Sequence, residues 1–228
     1  MRNTIPEHER ATPVLTIVIP TYNAADTIGH ALNSLKQQTH QHFECLVMDG
    51  ASTDETLKIV ARYADVVTAC HSAPDRSAQE AANNGLARAS GRYWMLLGAD
   101  DWLAQDAVEQ IHQAILEHDG VDVISFALHE HTMHGSDVNG VESPVRIRLF
   151  TEDTPQFGLL EGLYCHGINH VYKRSVLQSL GGFDYHRYPT MGDRDLHIRL
   201  GLRPSSKHYL PAVLYHFVAH SGSITASG

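Results

Sequence analysis

The chain has 228 residues, of which 43 % are hydrophobic and 19 % charged, so it can bury a sizeable core and is not a disordered segment. Seventeen Lys and Arg against 26 Asp and Glu give a formal charge of −9, which disfavours a general nucleic-acid binder because phosphate affinity depends on basic faces. No apolar run approaches the roughly 20 residues of a membrane span, and the three cysteines form neither a disulfide framework nor a zinc motif.

After a polar N-terminal extension over residues 1–13, short β-rich runs alternate with amphipathic helices through the first half of the chain. Strands are predicted at 16–19, 43–48, 66–70, 93–97 and 123–128, with a helix after each of the first four. Ser52 and Glu55 have capping-box spacing and predict the start of the second helix. Such alternation requires crossover connections, which build a parallel sheet with helices on both faces.

The second half of the chain has a less regular pattern. Turn signals predict a hairpin over 129–148, and two further helices are expected at 175–180 and 193–202. No repeat or long linker divides the chain, so we expect a single domain.

Ligands of parallel α/β sheets bind outside the carboxyl ends of the strands. That rule points to the segments 21–23, 49–54, 73–76 and 98–101, which are rich in small and acidic residues. No Gly-rich dinucleotide or P-loop motif is present to hold phosphates. Adjacent carboxylates such as Asp100 and Asp101 repel each other unless a cation or hydrogen-bond donors lie beside them, which favours a divalent ion bound with substrate phosphates. The alternative is that one of them caps the following helix.

Several motifs, in this order, resemble family 2 glycosyltransferases of the GT-A fold. TIVIPTYN at 16–23, MDGASTDET at 48–56 and LGADD at 97–101 resemble the nucleotide-sugar core, and 72–76 with 82–86 is similar to a subgroup that builds bacterial surface polysaccharides. GGFD at 181–184 and GDRDLHIRL at 192–200 resemble the acceptor-side signature. The resemblance implies a Rossmann-like, mainly parallel sheet flanked by helices. Within one domain over 14–228, residues 14–120 would bind the nucleotide sugar, and 121–228 would form a smaller acceptor-side region of hairpin and helices.

The resemblance also implies roles in donor binding. Pro20, Tyr22 and Asn23 would shape the base pocket, and Asp49 would accept a hydrogen bond from the base, as suits a uracil-like N–H donor. Arg76 would approach the base or the diphosphate, or else be a surface cation at the start of the next helix.

A divalent metal, Mn²⁺ or Mg²⁺, is implied at the end of the fourth strand. Asp100 would contact ribose or metal, and Asp101 would bind the metal, which would act as a Lewis acid toward the departing diphosphate. Many relatives carry Asp or Asn where this chain has Gly98, which removes a ligand or a ribose contact.

Histidines are candidates of a second kind. His220 resembles a C-terminal metal ligand or diphosphate contact of some relatives, with His216 as its competitor, and His166 resembles a position near the acceptor pocket. His129, His131 and His134 match no standard zinc spacing, and are interpreted as exposed polar residues.

The general base is expected on the acceptor side. Asp193 occupies the position of the motif's catalytic Asp, or else only caps its helix, and Asp195 is interpreted as structural and paired with Arg199 four residues on. One base without an enzyme nucleophile implies direct displacement with inversion.

The hypothesis is a cytoplasmic, inverting, metal-dependent glycosyltransferase that moves a sugar from a nucleotide sugar, such as a UDP-sugar, to a glycan or lipid-linked acceptor. Peripheral membrane association and oligomeric state stay open, and the alternative is a nucleotide-sugar-binding module without transferase activity.

Overall fold

The alternating strands and helices build one mixed sheet with helices on both faces. The computed structural model describes residues 13–132, 146–148, 168–188 and 191–219. The strands of these ranges are β1 Leu15–Thr21, β2 Glu44–Asp49, β3 Ala69–Ser72, β4 Tyr93–Leu96, β5 Trp102–Leu103, β6 Val123–Thr132, β7 Arg146–Arg148, β8 His170–Lys173 and β9 Lys207–Ala219. The helices are α1 Ile28–Lys36, α2 Thr56–Val60, α3 Ala78–Arg88, α4 Ala107–Glu117, α5 Arg174–Leu180 and α6 Gly192–Gly201.

The sheet has the order β3-β2-β1-β4-β8-β6-β9-β5, and β7 pairs with β6. Strands β3, β2, β1 and β4 are parallel neighbours, as predicted, whereas β8 is antiparallel to β4 and β6, and β5 is antiparallel to β9. Thr21 lies opposite Asp49, and Val18 lies opposite Leu96. The carboxyl ends of β1, β2 and β4 therefore meet at one edge of the sheet.

Alternate residues of β1 point into two separate core layers. Ile17 and Ile19 pack with α1 and α4, whereas Val18 packs on the opposite face with α3, α5 and α6. This is the double coverage expected for a strand that is apolar throughout its length. None of the helices in the described ranges has the length and apolar character that a bilayer crossing requires.

The close approach of α3 to β1 depends on a glycine. A Cβ on Gly85 would lie 2.5 Å from Val18 Cγ1 and 3.2 Å from Met48 Cγ. Gly85→Ala is expected to lower the free energy of unfolding by about 1–3 kcal/mol because the helix must move off the sheet. Gly29→Ala in α1 is the matched control: its Cβ would lie 3.6 Å from Ile59 Cγ2, so it should be neutral or stabilising in a urea unfolding experiment.

Two local expectations are wrong, and the alternative that Asp100 or Asp101 caps a helix is excluded. Ser52 does not cap α2, whose N-cap is Glu55 without a side-chain hydrogen bond, because the Ser52 hydroxyl bonds Asp49 instead. Strand β3 begins at Ala69, later than expected. Neither Asp100 nor Asp101 caps a helix, since Trp102 enters β5 and α4 begins only at Ala107. The predicted hairpin is represented by antiparallel β6 and β7, and its turn lies outside the described residues.

Candidate active site

Hydrogen bonds tie the loop after β1 to the loop after β2. The Asn23 N–H donates to Ser52 Oγ at 2.8 Å, and Asn23 Oδ1 accepts from the Thr53 N–H at 2.8 Å. Asn23 and Ala51 hold positive φ angles of 47° and 65°. For alanine this region costs roughly 1–2 kcal/mol, so the cross-ties maintain a strained turn. Asn23 therefore joins the two loops through its backbone N–H and its side-chain amide oxygen.

Asp49 is the buried centre of these loops. Its side chain is 2 % exposed and accepts hydrogen bonds from the Ser52 N–H at 3.0 Å, the Ser52 hydroxyl, and the Ser72 hydroxyl at 2.6 Å. A carboxylate offers about four acceptor positions, so Oδ1 keeps one for a ligand. The two serines thus orient the carboxylate that was predicted to bind the base.

The other predicted base-pocket residues lie beside Asp49. Pro20 is half-buried near the end of β1, and Tyr22 follows it with 64 % of its surface exposed. An exposed tyrosine ring at a sheet edge offers a stacking face to a planar ligand.

The loop after β3 contributes Arg76. This residue is exposed, its Nη1 lies 3.2 Å from His186 Nδ1, and its N–H donates to Glu80 Oε2 at 2.7 Å. Beside it, Asp75 lies against the backbone of Gly50, where a Cβ would be 2.9 Å from Asp75 Oδ2. Burial and then Glu80 raise the pKa of the Asp75 carboxyl. The Arg76 side chain thus lies at the open border of the edge.

Asp101 is fixed to β9. Its Oδ2 accepts from the Tyr215 hydroxyl at 2.7 Å, and its Oδ1 accepts from the Val218 N–H at 2.8 Å. The carboxyl is 2 % exposed, and burial together with the neighbouring Asp100 raises its pKa to about 7. The hydrogen bonds from Tyr215 and Val218 oppose that rise. Asp100 is half-buried and more accessible than Asp101.

Gly98 leaves the space in which the two carboxylates lie. A Cβ at this position would be 2.3 Å from Asp101 Oδ2 and 2.8 Å from Asp100 Oδ1. The Gly98 N–H also donates to the Tyr215 oxygen at 2.9 Å. Three hydrogen bonds, one from Gly98 and two to Asp101, thus join this loop to β9. A side chain at position 98 would therefore displace one or both of these carboxylates.

Gly98→Ala should therefore displace Asp101 from Tyr215 and lower the free energy of unfolding by about 1–3 kcal/mol, the range for overpacking a tight site. Thermal unfolding measures this loss. Ala99→Gly, one residue on, is the control for a changed loop, and an equal loss in both variants would contradict the role of the close contact.

The start of helix α6, which carries Asp193, contacts the start of α3. With its amide oriented to satisfy both groups, Gln79 at the start of α3 accepts from the Gly192 N–H and donates to the Tyr188 carbonyl, each at 3.1 Å. Asp193 is half-buried in the first turn of α6. Helix capping does not explain it, because the N-cap is Met191 and no side chain caps the helix.

Asp195 has the structural role that was predicted. Its Oδ2 lies 2.6 Å from Arg199 Nη2, and Arg199 also donates to the carbonyls of Leu180 and Gly182. This arginine fastens α6 to the glycine turn after α5.

The predicted histidines have different outcomes. His166, His220 and His134 lie outside the described residues. His129 and His131 are half-buried and lie together with His216, so the interpretation of these two as exposed polar residues is wrong. Burial, and then the neighbouring histidines, lower the pKa of His216 to about 4, and burial also lowers the pKa of His131.

Charge decides what the edge can bind. Arg76 is the one Lys or Arg in the four loops at this edge, which are 21–27, 50–55, 73–77 and 98–101, all within the described ranges. The same loops and the end of β2 carry the carboxylates of Asp26, Asp49, Asp54, Glu55, Asp75, Asp100 and Asp101. Carboxylate oxygens are the ligands of hard divalent cations. Burial and Asp100 raise the pKa of Asp101, and a divalent cation beside the two carboxylates would favour the ionised form of Asp101. These residues therefore fit such a cation.

Sequence reasoning missed the residues that hold the carboxylates in place. Ser72 was part of a matched motif but was given no role, and Tyr215 follows Asp101 by 114 positions. The pairing of β9 with β5 produces the Tyr215 contact, and no local pattern indicates that pairing.

Comparison with known proteins identifies the family of the chain. The family model for glycosyl transferase family 2 matches residues 16–181. The chain belongs to glycosyl transferase family 2. A relative in Mycobacterium tuberculosis (strain H37Rv), the PGL/p-HBAD biosynthesis glycosyltransferase Rv2957, is 36 % identical over 202 residues, which are 86 % of this chain and 72 % of the relative. A Bacillus subtilis (strain 168) protein named for teichuronic acid biosynthesis, the glycosyltransferase TuaG, is 32 % identical over 108 residues, or 46 % of this chain and 43 % of that protein.

Solved structures share the fold of this family 2 glycosyltransferase. Residues 1–349 of S. aureus TarS in complex with UDP-GlcNAc align with a TM-score of 0.75 and 23 % identity over 94 % of this chain and 61 % of that chain. The mannosyltransferase PcManGT from Pyrobaculum calidifontis, in complex with GDP-Man and Mn²⁺, aligns with a TM-score of 0.61 and 20 % identity over 91 % of this chain and 57 % of that chain. The chain thus spans less than two thirds of these solved structures, and the expected GT-A fold is confirmed.

Proposed function

We propose that this chain is an inverting, metal-dependent glycosyltransferase that moves a sugar from a nucleoside diphosphate sugar to a glycan or lipid-linked acceptor. The observation that carries the proposal is the edge where β1, β2 and β4 end, with the carboxylates of Asp49, Asp100 and Asp101 following two of these strands. The relatives named for PGL/p-HBAD and teichuronic acid biosynthesis support a cell-surface glycan as product.

The nucleotide would lie across the ends of β1 and β2. Tyr22 offers its exposed ring to the base, and the open position on Asp49 Oδ1 accepts a base N–H, as a uracil supplies. The hydroxyls of Ser52 and Ser72 donate to that carboxylate and keep it oriented. The UDP-GlcNAc bound to TarS is consistent with a UDP-sugar donor here.

Asp100 and Asp101 would hold the divalent cation, Mn²⁺ or Mg²⁺. When bound, the ion supplies charge neutralisation for the diphosphate, which an edge rich in carboxylates otherwise repels. Tyr215 and Val218 keep Asp101 in place, and the more accessible Asp100 offers the second carboxylate. Arg76, at the border of the edge, adds positive charge on the donor side.

Asp193 would act as the general base. It takes the proton of the acceptor hydroxyl as that oxygen attacks the anomeric carbon. The bond from the anomeric carbon to the diphosphate oxygen breaks, and its electron pair leaves with the nucleoside diphosphate. A single displacement inverts the configuration at that carbon. Catalysis takes place at the cytoplasmic side in this proposal, with peripheral contact to a membrane where the acceptor is lipid-linked.

A donor screen tests the proposal. We expect a UDP-sugar with Mn²⁺ to raise the melting temperature of the protein, since a ligand bound to the folded state stabilises it by mass action. We expect the same donor to be consumed when a glycan or glycolipid acceptor is added, with inverted anomeric configuration in the product by NMR. Tight donor binding without transfer to any acceptor would favour a binding module over an enzyme.

A further inference from the structure

Three histidines on two neighbouring strands form a cluster that the proposed transfer reaction does not use. His129 and His131 lie two residues apart on β6, and His216 lies on β9 in register with His129. One ligand nitrogen from each ring lies within 4.8 Å of the other two, and all three residues are half-buried. Alternate residues of β6 such as Leu128 point into the core, so both β6 imidazoles lie on the other face.

The distances suit a transition metal ion. His131 Nε2 lies 3.0 Å from His216 Nδ1, and the ring centroid of His129 lies 4.6 Å from that of His131 and 5.4 Å from that of His216. Two imidazole nitrogens bound to a tetrahedral Zn²⁺ at about 2.0–2.1 Å are roughly 3.3 Å apart. Two of the three nitrogens therefore have nearly the required separation, and the third, on His129, lies within 4.8 Å of both.

Trp102 on β5 covers one side of the cluster. Its ring is stacked on His216 with centroids 5.0 Å apart and planes at 5°, and it lies 4.7 Å from His131. An aromatic wall limits solvent access and restrains the rings, as the surroundings of metal ligands commonly do. Burial lowers the pKa of both His131 and His216, which favours the neutral form that binds metal.

We propose that His129, His131 and His216 form a second metal site, for a borderline transition metal ion such as Zn²⁺ or Co²⁺, with a fourth position for water or an exogenous ligand. The all-imidazole donor set separates it from the carboxylate edge, which suits Mg²⁺ or Mn²⁺. Tyr215 contacts Asp101, whereas the next residue, His216, projects from the opposite face of β9. The ion would link β6 to β9 and would lie beside Trp102, the residue that follows Asp101.

Co²⁺ alone is the probe, because it binds imidazole and quenches tryptophan fluorescence. We expect saturable binding of one Co²⁺ per chain by calorimetry, displacement by Zn²⁺, and quenching that saturates at the same ratio. Trp102→Phe should keep the binding and lose the saturable quenching, since the second tryptophan, Trp94, is fully buried and its ring contacts Tyr172 and Phe183.

The double variant H129Q/H131Q should lose both signals. The matched control H118Q/H208Q removes another close pair of imidazoles, with centroids 3.7 Å apart, and should retain both. If the double variant fails to fold by circular dichroism, His129→Gln alone should weaken Co²⁺ binding by at least about tenfold, the minimum seen for loss of a ligand's supporting contact.

Asp101→Asn should bind Co²⁺ as the wild type does, which keeps the outcome separate from that of the proposed function. Equal binding in H129Q/H131Q and wild type, or absence of a saturable Co²⁺ site in the wild type, would overturn the proposal.

Discussion

Asp193→Asn is expected to slow sugar transfer by roughly 10²–10⁴-fold, the usual contribution of a general base. The substitution keeps the size of the side chain and removes its ability to accept the hydroxyl proton. Binding of UDP with Mn²⁺ should be unchanged, because the residue acts on the acceptor. Steady-state kinetics with the donor identified by the screen, together with calorimetry for UDP, separates kcat from donor affinity.

Asp195→Asn is the matched control on the same helix turn. Its partner Arg199 fastens the turn at Leu180 and Gly182, so we expect a lower melting temperature and near-normal kcat per folded molecule. If Asp193→Asn transferred sugar at the wild-type rate, another residue would have to be the base.

Asp101→Asn is expected to change the pH dependence of stability. The wild-type carboxyl has a pKa of about 7 when folded, against about 3.9 when unfolded. The contribution of the protonated Asp101 carboxyl to the free energy of unfolding is fully present below pH 4 and is lost as pH rises through 7. This effect is on the order of 4 kcal/mol, at 1.36 kcal/mol per pKa unit. The asparagine variant does not ionise, so its free energy of unfolding should stay nearly constant between pH 5 and 8.

Mn²⁺ should reverse the wild-type loss at pH 8, because the ion binds the ionised carboxylates, and it should stabilise the wild type less at pH 5.5. Asp101→Asn should gain little at either pH. Asp119→Asn, whose partner Arg92 is exposed, is the control for a lost surface carboxylate and should follow the wild type. Urea unfolding with and without Mn²⁺ at both pH values measures each effect, and a pH-independent wild type would contradict the buried ionisation of Asp101.

Local pattern was enough to predict the parallel half of the sheet. The apolar run at 16–19 and the small and acidic residues after it indicate a buried strand followed by a binding loop. Strand β1 is buried, and Asn23 in the loop after it donates a hydrogen bond to Ser52. The i to i+4 spacing of Asp195 and Arg199 likewise predicted their ion pair. Such features depend on residues close in sequence, where periodicity and side-chain reach decide the outcome.

Contacts across the second half of the chain could not be predicted in this way. The cluster of His129, His131 and His216 depends on the parallel register of β6 with β9, and the Tyr215 bond to Asp101 depends on β9 lying beside β5. Register between distant strands is selected by packing over the whole sheet. The histidines on β6 therefore looked like separate surface residues, although β9 supplies the third member.

Diffraction from crystals soaked with UDP and Mn²⁺, with anomalous data at the manganese edge, tests the central claim most directly. We predict a manganese peak bound by the carboxylates of Asp100 and Asp101 and by the diphosphate, with the base beside Tyr22 and Asp49. A diphosphate bound away from the ends of β1, β2 and β4, or a manganese ion that contacts neither aspartate, would contradict the account.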